Sequence, residues 1–304
     1  MDAVELARII ATLLGLVAVG WALRVAGVLT SSDARPIHAV IVYAGLPALV
    51  FSSIHGAKLG PELPAIALVA WTAFAASALV AFVLSRLLRL PGRIAGGLIV
   101  FAGLGNTGYI GYPVAQALLG ETGLVRAIFY DIFGTVGALL TVGVYVASRF
   151  GAQDGPPPNP LREVLTFPGV IALAAALALR SVEIPSAVSS GIDALATLVV
   201  PLIMISVGLT LRLRRLTEHK RALVCLAVVK LVFSPLIAFA AGSFLLGDVD
   251  ALRLAVLQAG MPVMMLSIVF GTRFGLDTGF LASAVVATTV ASVVSIPLMQ
   301  VLMY

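Results

Sequence analysis

The sequence predicts an all-α integral membrane protein of ten transmembrane helices in two inverted five-helix repeats. Three observations predict it. Of 304 residues, 61% are hydrophobic and only 11% are charged, where a soluble domain carries roughly 25% charged residues. Mean hydropathy is +1.12. Apolar runs close to the roughly 20 residues that span a bilayer recur from one end of the chain to the other. A net charge of +5 would suggest nucleic acid in a soluble protein. Here the basic residues stand between apolar runs, so they read as membrane orientation signals, and no nucleic-acid partner is expected.

The apolar segments fall at 6–29, 35–55, 63–87, 94–119, 122–147, 163–180, 186–210, 221–246, 251–273 and 277–303. The first follows Asp2 and Glu5, acids where a secretory signal would carry Lys or Arg, so it is expected to stay as a helix. The stretch "GAQDGPPPNP" at 151–160 has the prolines and polarity of a linker. It predicts a first repeat over 1–150, a linker over 151–162 and a second repeat over 163–304.

Segments 2 and 7 carry a central proline in "YAGLPALVFSSI" and "TLVVPLIMISVGL". Segments 4 and 9 do so in "GNTGYIGYPVAQALLG" and "LQAGMPVMMLSIVFG". Pro201 follows Pro47 by 154 residues, and Pro262 follows Pro113 by 149. Nearly one offset in matching helices suggests an internal repeat. Five helices per copy is odd, so the second copy must be inverted. The connections after segments 1, 3, 5, 7 and 9 hold thirteen Lys and Arg, among them Arg212, Arg214 and Arg215, against five on the other face. The positive-inside rule places the thirteen, and the linker, in the cytoplasm of a plasma-membrane protein with both termini outside.

"GLGNTG", Gly103 to Gly108, matches the glycine fingerprint of a dinucleotide loop. That loop follows a β-strand, whereas this one follows "IAGGLIVFAGL", membrane-helix material. A broken helix fits better. Gly105, Gly108, Asn106, Thr107 and Pro113 crowd one mid-membrane stretch, and Gly260 and Pro262 make the matching break in segment 9. Where two such helices cross, their half-helix N-termini form an anion site, with Asn106 and Gln258 as amide donors. The alternative is a packing kink without a ligand. Tyr109 and Tyr112 either line a cavity or fill the core.

Asp131 in segment 5 and Lys230 in segment 8 are charges well inside membrane spans. Each must face the protein interior. They form either a proton relay or a fixed ion pair. Cys225 is the lone cysteine, His38, His55 and His219 show no ligand spacing, and no metal or other cofactor is expected.

The motifs "NTGYIGYP", "VVPLIMISVGL", "KLVFSPL" and "LQAGMPVMML…FGLDTGFLASAV" run along essentially the whole chain. In them the chain resembles the auxin efflux carrier family, which includes plant auxin exporters and bacterial carriers labelled malonate or malate transporters. The resemblance implies a scaffold of helices 1, 2, 6 and 7 and a transport domain of helices 3–5 and 8–10. Helices 4 and 9 would cross at Pro113 and Pro262, an arrangement similar to that of bile acid symporters and sodium/proton antiporters. It gives Asn106, with Thr107 beside it, a role in binding a substrate carboxylate, and it matches Gln258 to a family glutamine. Asp131 and Lys230 fall in the helices that hold the coupling groups of the antiporters. The resemblance also implies a homodimer formed through the scaffold. Two departures stand out: the central loop is a short linker, and Gly108–Tyr109 replace aliphatic residues of the plant proteins.

The expected function is export of small organic carboxylates by elevator-type alternating access, coupled to membrane potential, proton or sodium, and not catalysis. The alternative is a cation/proton antiporter built on Asp131 and Lys230. An intramembrane enzyme lacks its motifs, with no H-E-x-x-H and no G-x-S-x-G. A receptor would bind the anion without moving charge.

Overall fold

The structure, a computed structural model, describes residues 3–152, 159–210 and 219–302. Residues 153–158 of the expected linker and the basic cluster Arg212, Arg214 and Arg215 lie outside the described residues. The described residues are all helix, turn and loop apart from one isolated backbone bridge. The helices are α1 (Ala3–Val25), α2 (Ala34–His55), α3 (Leu63–Leu87), α4 (Gly92–Phe101), α5 (Thr107–Phe150) and α6 (Pro160–Leu165). After them come α7 (Pro168–Ala178), α8 (Ser186–Thr210), α9 (Lys220–Leu245), α10 (Val249–Ala259), α11 (Ser267–Phe274) and α12 (Thr278–Leu302).

Six of these, α2, α3, α5, α8, α9 and α12, are long and apolar enough to cross a membrane. The chain is therefore built as a multi-pass membrane protein. The expected segments do not all form continuous helices. Segment 4 stops at Phe101 and segment 9 at Ala259. The second half of segment 4 runs on into segment 5 as one 44-residue stretch, α5. Gly120 interrupts it with φ 65° and ψ −161°, a conformation that favours glycine.

Proline explains much of the local irregularity. Wide π-helical turns at Ile41–Gly45, Thr107–Gly111 and Val229–Phe233 directly precede helical stretches that carry Pro47, Pro113 and Pro235 in their first turn. Proline has no N–H and its ring crowds the carbonyl one turn back, so the preceding turn opens. The matched pair Pro47 and Pro201 behaves unequally, because Pro201 lies inside the continuous helix α8.

The chain divides into two compact units that interleave along the sequence: Met1–Leu59 with Tyr112–Val125 and Leu165–Arg212, and the remainder. In the first unit, α1 and α8 pack backbone to backbone. A Cβ on Gly20 would stand 2.0 Å from the Ile205 carbonyl oxygen, and one on Gly208 would stand 2.0 Å from that of Val17. Membrane helices use such small residues because close approach maximises van der Waals contact. Arg24 closes one end by donating to the Leu209 carbonyl at 3.0 Å, and His38 meets the Ser206 hydroxyl at 3.0 Å. Gly208→Val is expected to cost about 3 kcal/mol, since the clash is with main chain that has no rotamer to yield. Thermal unfolding in detergent measures it, and an unchanged midpoint would refute this packing.

The second unit has a dense core around Phe101, Phe270, Phe274 and Phe280. Phe101 and Phe270 pack edge to face with centroids 5.7 Å apart. Arg126 donates to Glu62 at 2.9 and 2.7 Å and also to Asp248. It ties α3, α5 and the start of α10 together, where Asp248 caps the helix by accepting from the Asp250 amide at 2.8 Å. A second pair, Arg273 and Glu163, is bidentate at 2.9 Å. It pins α6 to the end of α11, and the Arg273 bond holds the Glu163 carboxyl below its usual 4.5. A depressed carboxyl contributes stability above its unfolded value and loses it as pH falls through the folded one. Proteolysis within α6 should therefore rise as pH drops below 4.5, and Arg273→Leu should make it rise at neutral pH. Equal cleavage of both proteins at both pH values would count against the latch.

Candidate functional site

Segments 4 and 9 are both interrupted in the second unit. Gly103 and Gly105 sit in the first gap, between α4 and α5, and Gly260, Met261, Pro262 and Val263 in the second, between α10 and α11. The two gaps meet as antiparallel backbone, with Gly105 bridged to Val263. Asn106 N–H donates to the Pro262 carbonyl at 2.7 Å. Val263 N–H donates to the Thr288 hydroxyl at 3.0 Å, and that hydroxyl donates on to the Ala284 carbonyl at 2.7 Å. Unwound backbone is tolerated at membrane depth only when it is buried in protein or lines a cavity. Here each gap supplies part of the other's hydrogen bonding, and α12 supplies Thr288. Gly105 permits the approach, because a Cβ there would stand 3.1 Å from the Met261 carbonyl oxygen.

Several expected site residues gather at this junction. Asn106 is 2% exposed, Gln258 and Lys230 are wholly buried, and Thr107, Tyr109 and Asp131 are buried too. Thr107, Asp131 and Lys230 each lie in a π-helical turn, a widening often found at functional positions. The Thr107 hydroxyl donates to Asp131, whose second oxygen lies beside Gly108. A carboxylate thus stands at the start of α5, where the helix dipole favours negative charge. Lys230 lies beside Gly105 and donates to the Ala259 carbonyl, at the C-terminus of α10. That is the end where the dipole favours a cation. Each of the two ionisable groups therefore has its own partner at a helix end.

The Gln258 carboxamide lies along the first turn of α5. Its Nε2 donates to the Thr107 carbonyl at 3.5 Å, and its oxygen sits 2.1 Å from where a Gly111 Cβ would stand. Asn106 Nδ2 and Gln258 Oε1 have no hydrogen-bond partner. Most buried polar side-chain atoms are paired, so two orphaned amide atoms at one junction call for a reason. Gly260 ends α10, its N–H bonded to Val256 at 3.0 Å. Pro262 is at the bridge. Pro113 stands in the first turn of Tyr112–Phe129, where its fixed φ suits the helix start. Sequence reasoning missed Thr288. Its only signal was a run of Ser and Thr in "ATTVASVVS", ordinary in a membrane helix.

Six described helices of membrane-spanning length and composition define a polytopic membrane protein. A family model described as "Membrane transport protein" matches residues 7–154 and 158–300. The chain belongs to that family, the auxin efflux carriers that its motifs resemble. It is 31% identical over 295 residues to an uncharacterized transporter of Methanothermobacter thermautotrophicus, covering 96% of each chain. It is also 31% identical over 294 residues to an uncharacterized transporter of Methanocaldococcus jannaschii, covering 93% of this chain and 94% of that one. A Rhizobium meliloti protein named "Putative malonate transporter" is 28% identical over 270 residues, 86% of this chain and 84% of its own.

Proposed function

We propose that the chain is a secondary transporter that exports small organic carboxylates of malonate, malate or auxin size. The observation that carries this reading is the orphaned amide nitrogen of Asn106, at the junction of the two interrupted helices. A buried donor without an acceptor costs about 1–3 kcal/mol. A carboxylate oxygen removes that cost at Asn106 Nδ2. The Rhizobium relative named for malonate supports a carboxylate as substrate. Asn106, Thr107, Tyr109, Asp131, Lys230 and Gln258 all belong to one compact unit. That supports an elevator in which this unit carries the anion, since alternating access in inverted-repeat transporters is largely the movement of one bundle against the other.

Charge movement in proteoliposomes, challenged with a carboxylate panel, tests the proposal. A substrate-evoked current is expected. The second reading, a cation/proton antiporter, is favoured by the burial of both Asp131 and Lys230 beside the junction. Proton flux driven by sodium or potassium, with no response to any carboxylate, would select it.

The Lys and Arg bias supports a cytoplasmic linker in the plasma membrane. A membrane-impermeant maleimide should label Gly155→Cys only from the cytoplasmic side. Labelling from outside would reverse the topology.

A further inference from the structure

The orphaned atoms at the junction specify more than a carboxylate. Asn106 Nδ2 is a donor without an acceptor, and Gln258 Oε1 is an acceptor without a donor. The Gln258 amide is oriented by its bond to the Thr107 carbonyl. Turned over, it would set oxygen against oxygen. A bare carboxylate satisfies Asn106 and brings no hydrogen to Gln258. A second carboxylate is worse, because Asp131 already places one on the same turn, at Thr107 and Gly108. Two carboxylates sharing a site repel. Tyr109 and Tyr130 also face the Asp131 charge, and Lys230 lies across the junction at Gly105 and Ala259.

We infer that the substrate is a monoanion carrying one carboxylate and one O–H or N–H donor. Asn106 donates to the carboxylate and Gln258 accepts from the donor. A hydroxymonocarboxylate has this chemistry, and so does a half-protonated dicarboxylate. The inference rests on the carboxylate reading above and narrows it.

Three three-carbon acids test it by calorimetric titration of the full-length protein in nanodiscs: propionate, 3-hydroxypropionate and malonate, from neutral to mildly acidic pH. At neutral pH, 3-hydroxypropionate should bind roughly tenfold or more tighter than propionate, the cost of leaving a buried acceptor unpaired. Gln258→Met should bring that ratio close to one. Gly111→Ala should do the same by displacing the amide oxygen, and it serves if the first variant fails to fold. Malonate should bind weakly at neutral pH. If it tightens on acidification while 3-hydroxypropionate does not, the half-protonated diacid is a source of the ligand. If it stays weak, the class is confined to hydroxy acids. Equal affinities for propionate and 3-hydroxypropionate, a ratio unchanged in both variants, or malonate binding tightest at neutral pH would overturn the inference and leave the carboxylate site standing. No binding of any of the three would overturn both.

Discussion

Asn106→Ala weakens carboxylate binding about thirtyfold, the equivalent of a hydrogen bond worth about 2 kcal/mol to a charged group. The fold survives it. The bridge is held by the Asn106 backbone, which donates to the Pro262 carbonyl at 2.7 Å, and not by its side chain. The side-chain nitrogen has no partner, so removing it relieves a buried orphan. Thermal stability without substrate should therefore stay level or rise slightly as affinity falls. A merely structural asparagine would move the other way, losing stability with little effect on affinity. Titration with one carboxylate, beside an unfolding curve, separates the two. Unchanged affinity would remove Asn106 from the site.

Neutralising Asp131 and Lys230 together, as Asp131→Asn with Lys230→Met, abolishes the pH dependence of transport. Both groups are buried at the junction, one bonded to each arm. Insertion of a charge at a helix centre costs about 2.5–3.5 kcal/mol, which favours a group that changes protonation as the site empties and fills. The amide still accepts from Thr107, and methionine fills the space beside Gly105, so the double variant should fold. Transport measured across a pH series is the readout. A wild-type pH profile in a folded double variant would leave these residues as caps on helix ends and nothing more.

Much of this was legible in the sequence. Asn106, Gln258 and the break at Pro262 were legible because Gly, Pro and amide side chains are rare events against an apolar background. The charges stood out for the same reason: Asp131 and Lys230 are expensive in a membrane span, so each needs a partner. Their partners were not legible. Expectation offered a mutual pair acting as relay or lock; the structure shows Asp131 accepting from Thr107 and Lys230 donating to the Ala259 carbonyl, each at a helix end. Proline position misled in one respect. Pro113 and Pro262 look equivalent in sequence, yet Pro113 opens a helical stretch while Pro262 lies in unwound backbone. Pro113 opens the π-helical turn Thr107–Gly111 directly before it, whereas the unwound residues of segment 4 lie further upstream, at Gly103–Asn106.

By itself the sequence determined the membrane class, the apolar segments and the positions of the breaks. Those follow from local composition, since hydropathy and backbone propensity are properties of neighbours along the chain. Only the tertiary structure decided that Gly105 pairs with Val263, that Thr288 caps the junction, and that Asn106 and Gln258 each keep one polar atom without a partner. The bridge and the Gln258–Thr107 bond join residues more than 150 positions apart, and Thr288 meets Val263 from 25 positions away. No local pattern encodes such a distance.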